Sequence, residues 1–114
     1  MPYLWYDAEV KKTRRLRKVV DETTQVRCAL GKGLIREEVW QDSRSVIVRY
    51  NLAFINHALS ARDNGRVVGY DNSHGDHHRH FAGAEEKFAF VSYERLLKQF
   101  LDEVWELRQK KEPI

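Results

Sequence analysis

Apolar and polar positions alternate with period two through most of the chain, and switch to a period near 3.6 only towards its end. Residues 25–30 place Val26, Cys28 and Leu30 on one side and Gln25, Arg27 and Ala29 on the other, the pattern of a half-exposed strand. Gly31, Lys32 and Gly33 read as a turn. Residues 34–40 are strand-like, although Glu37 and Glu38 interrupt both faces. Residues 45–59 carry Val46, Ile47, Val48, Tyr50, Phe54 and Ile55 and give the strongest strand signal, with His57 inside it as a hydrogen-bonded sheet residue. The first twenty residues fit neither a helix stripe nor a strand alternation.

Asp63, Asn64 and Gly65 predict a hairpin, because Asn-Gly supplies the positive φ angles of a type I′ turn. A two-residue loop there sets Asp63 opposite Arg66, Leu59 opposite Tyr70 and His57 opposite Asn72, with Asp71 on the other face. Residues 65–71 form the returning strand. Residues 78–83 and 87–91 predict two more short strands, with Phe88 and Phe90 on a shared face.

From Ser92 the period changes. Ser92 is the expected N-cap, and Glu94 suits the positive end of the helix dipole. Tyr93, Leu96, Leu97, Phe100, Leu101 and Val104 recur at three and four residues, one helical face to be packed on a sheet. Trp105 lies at the edge of that stripe and is the residue expected to leave it. Lys110, Lys111 and Pro113 close the helix. The pattern predicts an α+β domain, an antiparallel meander of about five strands packed on a C-terminal helix. Its expected parts are a basic segment at residues 1–22, a meander at 24–91 and a helix at 92–110.

Length adds that this is one domain: 114 residues support a single core without disulfides or a structural metal. The single cysteine, Cys28, excludes an internal disulfide framework and fits a reducing compartment. No apolar run approaches the ~18 residues of a membrane helix, and the N-terminus lacks the pattern of a secretory signal. A cytoplasmic location is expected.

Charge is unevenly placed. Residues 1–36 hold nine Lys/Arg against four Asp/Glu, whereas residues 37–114 hold eleven against thirteen. Six of the eight residues at 11–18 are basic: Lys11, Lys12, Arg14, Arg15, Arg17 and Lys18. Such a block attracts phosphate backbones, or serves simply as a solvated segment.

The densest candidate chemistry is a run of histidines. Four of the five in the chain, His74, His77, His78 and His80, fall within seven residues, with Asp71 and Asp76 alongside. In an extended strand His78 and His80 share a face, while His77 and Arg79 take the other. Imidazole both accepts and gives protons near neutral pH. His78 and His80, oriented by His74 or Asp71, could therefore cleave an RNA phosphodiester without metal. Arg66 or Arg79 would hold the phosphate as a bidentate fork, although Arg79 points away from the histidine pair. Two other readings compete. Asp71, His74, His78 and His80 offer a donor set for zinc or another transition metal. Alternatively, the histidines are polar residues of a sheet edge, with Asp71 and Asn72 capping a turn.

The run Tyr70-Asp71-Asn72, then Gly75-Asp76-His77-His78-Arg79-His80, then Glu85-Glu86 and Phe88-x-Phe90-Val91-Ser92 before a Leu/Phe-rich helix resembles the TumE-type toxins of bacterial type II toxin–antitoxin modules. The resemblance covers about half the chain, residues 50–107. It implies a growth inhibitor encoded beside a helix-turn-helix antitoxin. Many small toxins of such modules are ribonucleases, so by analogy it supports an endoribonuclease acting on RNA. The competing class is a non-catalytic module whose His/Asp cluster holds a metal or a protein partner. Exposed strand edges favour a homodimer or an antitoxin complex.

Overall fold

Period two governs the chain as far as Lys87 in the computed structural model, which describes residues 15–114. Six strands run in sequence order as one antiparallel sheet: β1 (Arg17–Arg27), β2 (Lys32–Gln41), β3 (Ile47–Ile55), β4 (Arg66–Asp71), β5 (His78–Phe81) and β6 (Ala84–Lys87). Among the described residues one α-helix, α1 (Tyr93–Leu107), packs across one face. The α+β meander read from the sequence is correct in kind, with six strands in place of five.

The register separates two faces. Leu52 lies opposite Tyr70, Phe54 opposite Val68, and Tyr70 opposite Arg79. This row looks towards α1, whose Leu96, Phe100, Val104 and Leu107 are buried against it. The ridge of α1 therefore has the spacing expected of a core stripe, and burial of each large apolar side chain contributes about 1.5–3 kcal/mol. Trp105 does leave the stripe and is 59% exposed. Ser92 caps the helix, its Oγ accepting from the Arg95 backbone N–H at 3.2 Å, an interaction typically worth about 1 kcal/mol. The helix ends at Leu107, before the expected 110.

The other face of the sheet is uncovered by the helix. Across it run Asp21, Glu38, Asn51, Asp71 and His78, each opposite the next, and beside them Thr23, Arg36, Ala53, Gly69, His80 and Glu85. Of three register shifts in the sheet, two adjust this face and the third lies at Val48. An extra residue at Val19 brings Lys18 and Asp21, three apart, to the same side. A second irregularity, at Val67, turns Arg66 to the side of Gly69 and Asp71.

Several boundaries differ from expectation. β1 starts at Arg17, inside the segment that showed no pattern. It is an edge strand exposed on both faces for most of its length, so nothing forces its residues to alternate. The first turn lies at residues 28–31, and Lys32 and Gly33 already belong to β2. Gly33 is needed there because a Cβ would sit 2.9 Å from the Phe54 ring.

β3 stops at Ile55, four residues early. The buried Asn56 side chain accepts from the Ala58 and Leu59 backbone N–H groups at 3.0 and 3.1 Å, folding the chain into a turn. His57 therefore lies outside any strand. Asp63–Gly65 is a single 3-10 turn with positive φ at all three residues, closing a ten-residue connection and not a two-residue hairpin. The register accordingly sets Leu52, not Leu59, opposite Tyr70, while Tyr70 and Asp71 still face opposite ways. Residues 88–91 are not a strand; β6 is Ala84–Lys87. Phe88 and Phe90 instead pack on aromatic rings, Phe88 edge-on to Tyr70 at 5.2 Å.

Candidate active site on the open sheet face

Asp71 ends β4, and its cross-strand partner His78 begins β5. Period two then returns His80 to the same face, and its Nε2 lies 2.9 Å from Asp71 Oδ2. The rings of His78 and His80 are 6.5 Å apart between centroids. Both side chains are half-buried, as is Asp71. Glu85, opposite His80 on β6, places Oε1 3.5 Å from His80 Nδ1 and Oε2 4.0 Å from His78 Nε2.

Arg66 completes the group. Its Nη1 lies 3.8 Å from Asp71 Oδ2, and its Nε donates to Asp63 Oδ2 at 2.6 Å. Gly69 makes this course available: a Cβ there would come within 2.8 Å of Arg66 Cδ and of the Leu52 carbonyl oxygen. The bulge and the glycine together lay the guanidinium over the sheet beside the Asp–His pair.

Arg79 points the other way. Its Nε donates to the Tyr70 hydroxyl at 3.1 Å and its guanidinium pairs with Glu103 of α1, which also accepts from the Tyr70 hydroxyl. Gln99 Nε2 donates to the same hydroxyl at 3.0 Å. Burial and the carboxylate of Glu103 raise the pKa of Tyr70, so the phenol keeps its proton.

His77 also lies on the helix side. Its ring stacks on Phe90 at 4.2 Å between centroids, and its Nδ1 meets the Tyr50 hydroxyl at 2.8 Å. Burial lowers the pKa of His77 and raises that of Tyr50. The phenol thus donates and the neutral imidazole accepts. A cavity of about 680 Å3 opens beside this pair, lined in part by Ile47, Val48 and Asn72.

The candidates from the sequence are therefore divided. His78, His80, Asp71 and Arg66 stand together on the open face. His74 is exposed on the turn between β4 and β5. Arg79 serves the helix interface. Lys11, Lys12 and Arg14 lie outside the described residues, while Arg15 and Arg17 are exposed. Lys18 is drawn into an ion cluster with Glu38 at 2.6 Å and Asp21 at 3.2 Å, which Arg36 joins. Hydrogen bonds from Lys18 and then Asn51 hold Glu38 below the usual carboxylate range. The sequence did not mark Glu85 and Glu103 as site residues; Glu85 lies opposite His80 across the two-residue Ala82-Gly83 turn, a hairpin spacing that could have found it, whereas Glu103 has no local signal.

Among the described residues no three His, Cys, Asp or Glu side chains are arranged to hold a metal ion. No helix among them is long and apolar enough to cross a membrane. The sequence model of the family described as "Toxin TumE" matches residues 6–108. No curated protein and no solved structure gives a match.

Proposed function

The chain belongs to the TumE toxin family, and from that premise we propose that it is the toxin of a bacterial toxin–antitoxin module and a metal-independent endoribonuclease. The observation that carries the reading is the Asp71–His80 contact beside His78 and Arg66 on one exposed face. With Asp71 accepting from His80 Nε2, Nδ1 is the basic nitrogen, and the exposed Glu85 side chain, 3.5 Å from it, swings aside when substrate binds.

His80 takes the proton of a ribose 2′-hydroxyl. The oxygen attacks phosphorus, the bond from phosphorus to the 5′-oxygen breaks, and His78 gives its proton to that leaving oxygen. The products are a 2′,3′-cyclic phosphate and a free 5′-hydroxyl. Arg66 holds the non-bridging oxygens as a forked donor. Of the two arginines considered from the sequence, Arg66 shares the histidine face and Arg79 does not.

In this reading the protein acts in the cytoplasm, the basic residues at 11–18 gather RNA, and a helix-turn-helix antitoxin is the cognate partner. Among the described residues no further strand pairs with β1 or β6, and in this reading those edges take a second copy or the antitoxin.

The test is incubation of purified protein with end-labelled single-stranded RNA, with and without a chelator. Cyclic-phosphate products that form in the presence of chelator and vanish in His78→Ala and His80→Ala support the reading. Cleavage that survives both substitutions, or that chelation abolishes, removes it.

A further inference from the structure

Trp40, on the same open face two residues from Glu38, has two cations against its ring. Lys18 Nζ stands 5.1 Å and the Arg49 guanidinium carbon 4.8 Å from its ring centroid. Arg49 is exposed, and no ion pair among the described residues engages it. The ring is held there by register: Lys18, Trp40 and Arg49 are successive cross-strand partners.

A depression of about 360 Å3 continues from this ring towards the Asp–His pair. Glu38, Trp40, Arg49, Asn51, Asp71 and Ser73 line it. Its far end is therefore the carboxylate that contacts His80. Strands lie about 4.8 Å apart and residues of one face repeat at roughly 6.8 Å along a strand. Arg49 thus stands on the order of 8 Å from Asp71, and Trp40 on the order of 12 Å from it, the span of one to two nucleotides of an extended single strand. The carboxylates bordering this path are largely offset: Glu38 and Asp21 are each paired with both Lys18 and Arg36.

We propose that Trp40 and Arg49 form a nucleobase-binding subsite for single-stranded RNA, one to two nucleotides from the Asp71–His80 pair. The base displaces the exposed Lys18 ammonium from the indole and stacks in its place, while Arg49 contacts the adjoining phosphate. Aromatic faces bind bases with little regard to sequence, and a neighbouring arginine adds a cationic contact. The flat, open groove admits an unpaired strand, whose bases are free to stack, better than a duplex, whose bases are already stacked. This inference rests on the ribonuclease reading for its direction, and it is tested by binding, separately from cleavage.

The measurement is fluorescence anisotropy of a labelled eight-nucleotide single-stranded RNA, with an RNA duplex of equal length as control. It is made on full-length His80→Ala protein so that the probe stays intact, with circular dichroism confirming the fold of each variant. Trp40→Ala is expected to weaken single-strand binding about tenfold or more, and Trp40→Phe to restore most of it. Arg49→Ala is expected to weaken binding and to reduce the salt slope by about 0.7. Binding by Trp40→Ala equal to that of the parent overturns the subsite while leaving the cleavage chemistry intact. Loss of binding in Trp40→Ala, in a protein whose wild-type form cleaves nothing, upholds the subsite and removes the ribonuclease reading. If both substitutions spare RNA binding and instead abolish the complex with the cognate antitoxin, the face is a protein-docking surface and the proposal falls.

Discussion

Glu103 reaches from the helix to Arg79, pairing with the guanidinium on the opposite side of the sheet from His78 and His80. Because Arg79 sits between those two histidines in β5, and Tyr70 precedes Asp71 in β4, one helical carboxylate anchors both strands of the candidate site from behind. Hydrogen bonds to charged groups contribute about 1.5–3 kcal/mol each, and loss of one partner leaves the other unsatisfied. Glu103→Ala is expected to lower unfolding stability by about 2–3 kcal/mol, with Glu103→Gln losing less. Urea titration checks this; a change within about 0.5 kcal/mol, the ordinary scale of surface substitutions, would mean the pair is not an anchor.

On the open face, the expected losses are catalytic. Removing His78 or His80 should each slow RNA cleavage by roughly 10²–10⁴-fold, the usual contribution of a general acid or base, with little change in melting temperature. The rate should follow a bell in pH, because one histidine must be neutral and the other protonated. Asp71→Asn keeps the shape of the site and removes the orienting carboxylate, so it should lower the rate and leave substrate affinity close to wild type. Single-turnover kinetics separate the two effects.

His77 makes stability depend on pH. Burial depresses its folded pKa below the ordinary imidazole value of 6.5, so the unfolded chain binds the proton more readily. The contribution is fully present above about pH 6.5 and is lost as pH falls through the lower folded value. Unfolding free energy measured from about pH 7.5 down to about pH 5 should fall, and His77→Gln should flatten part of that slope. An unchanged slope would show that the Tyr50–His77 pair does not control it.

Gly65 is expected to tolerate no side chain. Its φ is +82°, and a Cβ would meet the His57 ring at 2.5 Å. The left-handed conformation alone costs an alanine about 1–2 kcal/mol, and the displaced imidazole adds to that. Thermal unfolding of Gly65→Ala should show a loss of at least this size, whereas Gly75→Ala, with open space around its Cβ, should lose only the conformational part.

The basic residues at 11–18 give a separate expectation. Replacing Arg14, Arg15 and Arg17 by Ala should weaken RNA binding without regard to sequence, and should flatten its salt dependence by about 0.7 for each phosphate interaction removed. Binding titrations at several salt concentrations measure this directly, and an unaltered slope would leave the segment as solvated charge.

What could be read from the residues alone follows where burial is one-sided. α1 was legible because Leu96, Phe100 and Val104 face a core and the opposite side faces water. The shared face of His78 and His80 was legible because period two is strict within a short strand. β1 was not, because residues exposed on both faces are under no pressure to alternate. The Asn64-Gly65 signal correctly marked positive φ but gave the wrong loop. Asn56 folds the chain ten residues ahead of Arg66, and a buried asparagine that caps a turn resembles any other polar residue in a sequence. Residues 88–91 misled in the opposite direction, since Phe88 and Phe90 alternate in order to reach Tyr70 and His77 without joining a ladder. Glu103 is a distant partner, and nothing local to it announces Arg79, whereas Glu85 meets His80 across the short Ala82-Gly83 hairpin and was missed because that turn was not placed.

A single sheet separates the two tasks by the thickness of a backbone, and this has a genetic consequence. In a saturation screen for loss of growth inhibition, neighbouring codons of β4 and β5 should fail for different reasons. Escape variants at Tyr70 and Arg79 should be rescued by lower temperature, because they weaken the attachment of the helix. Those at Asp71, His78 and His80 should accumulate as folded, inert protein at any temperature. The phenotype should alternate from one residue to the next along β5, so the pleat would be visible in a plate assay.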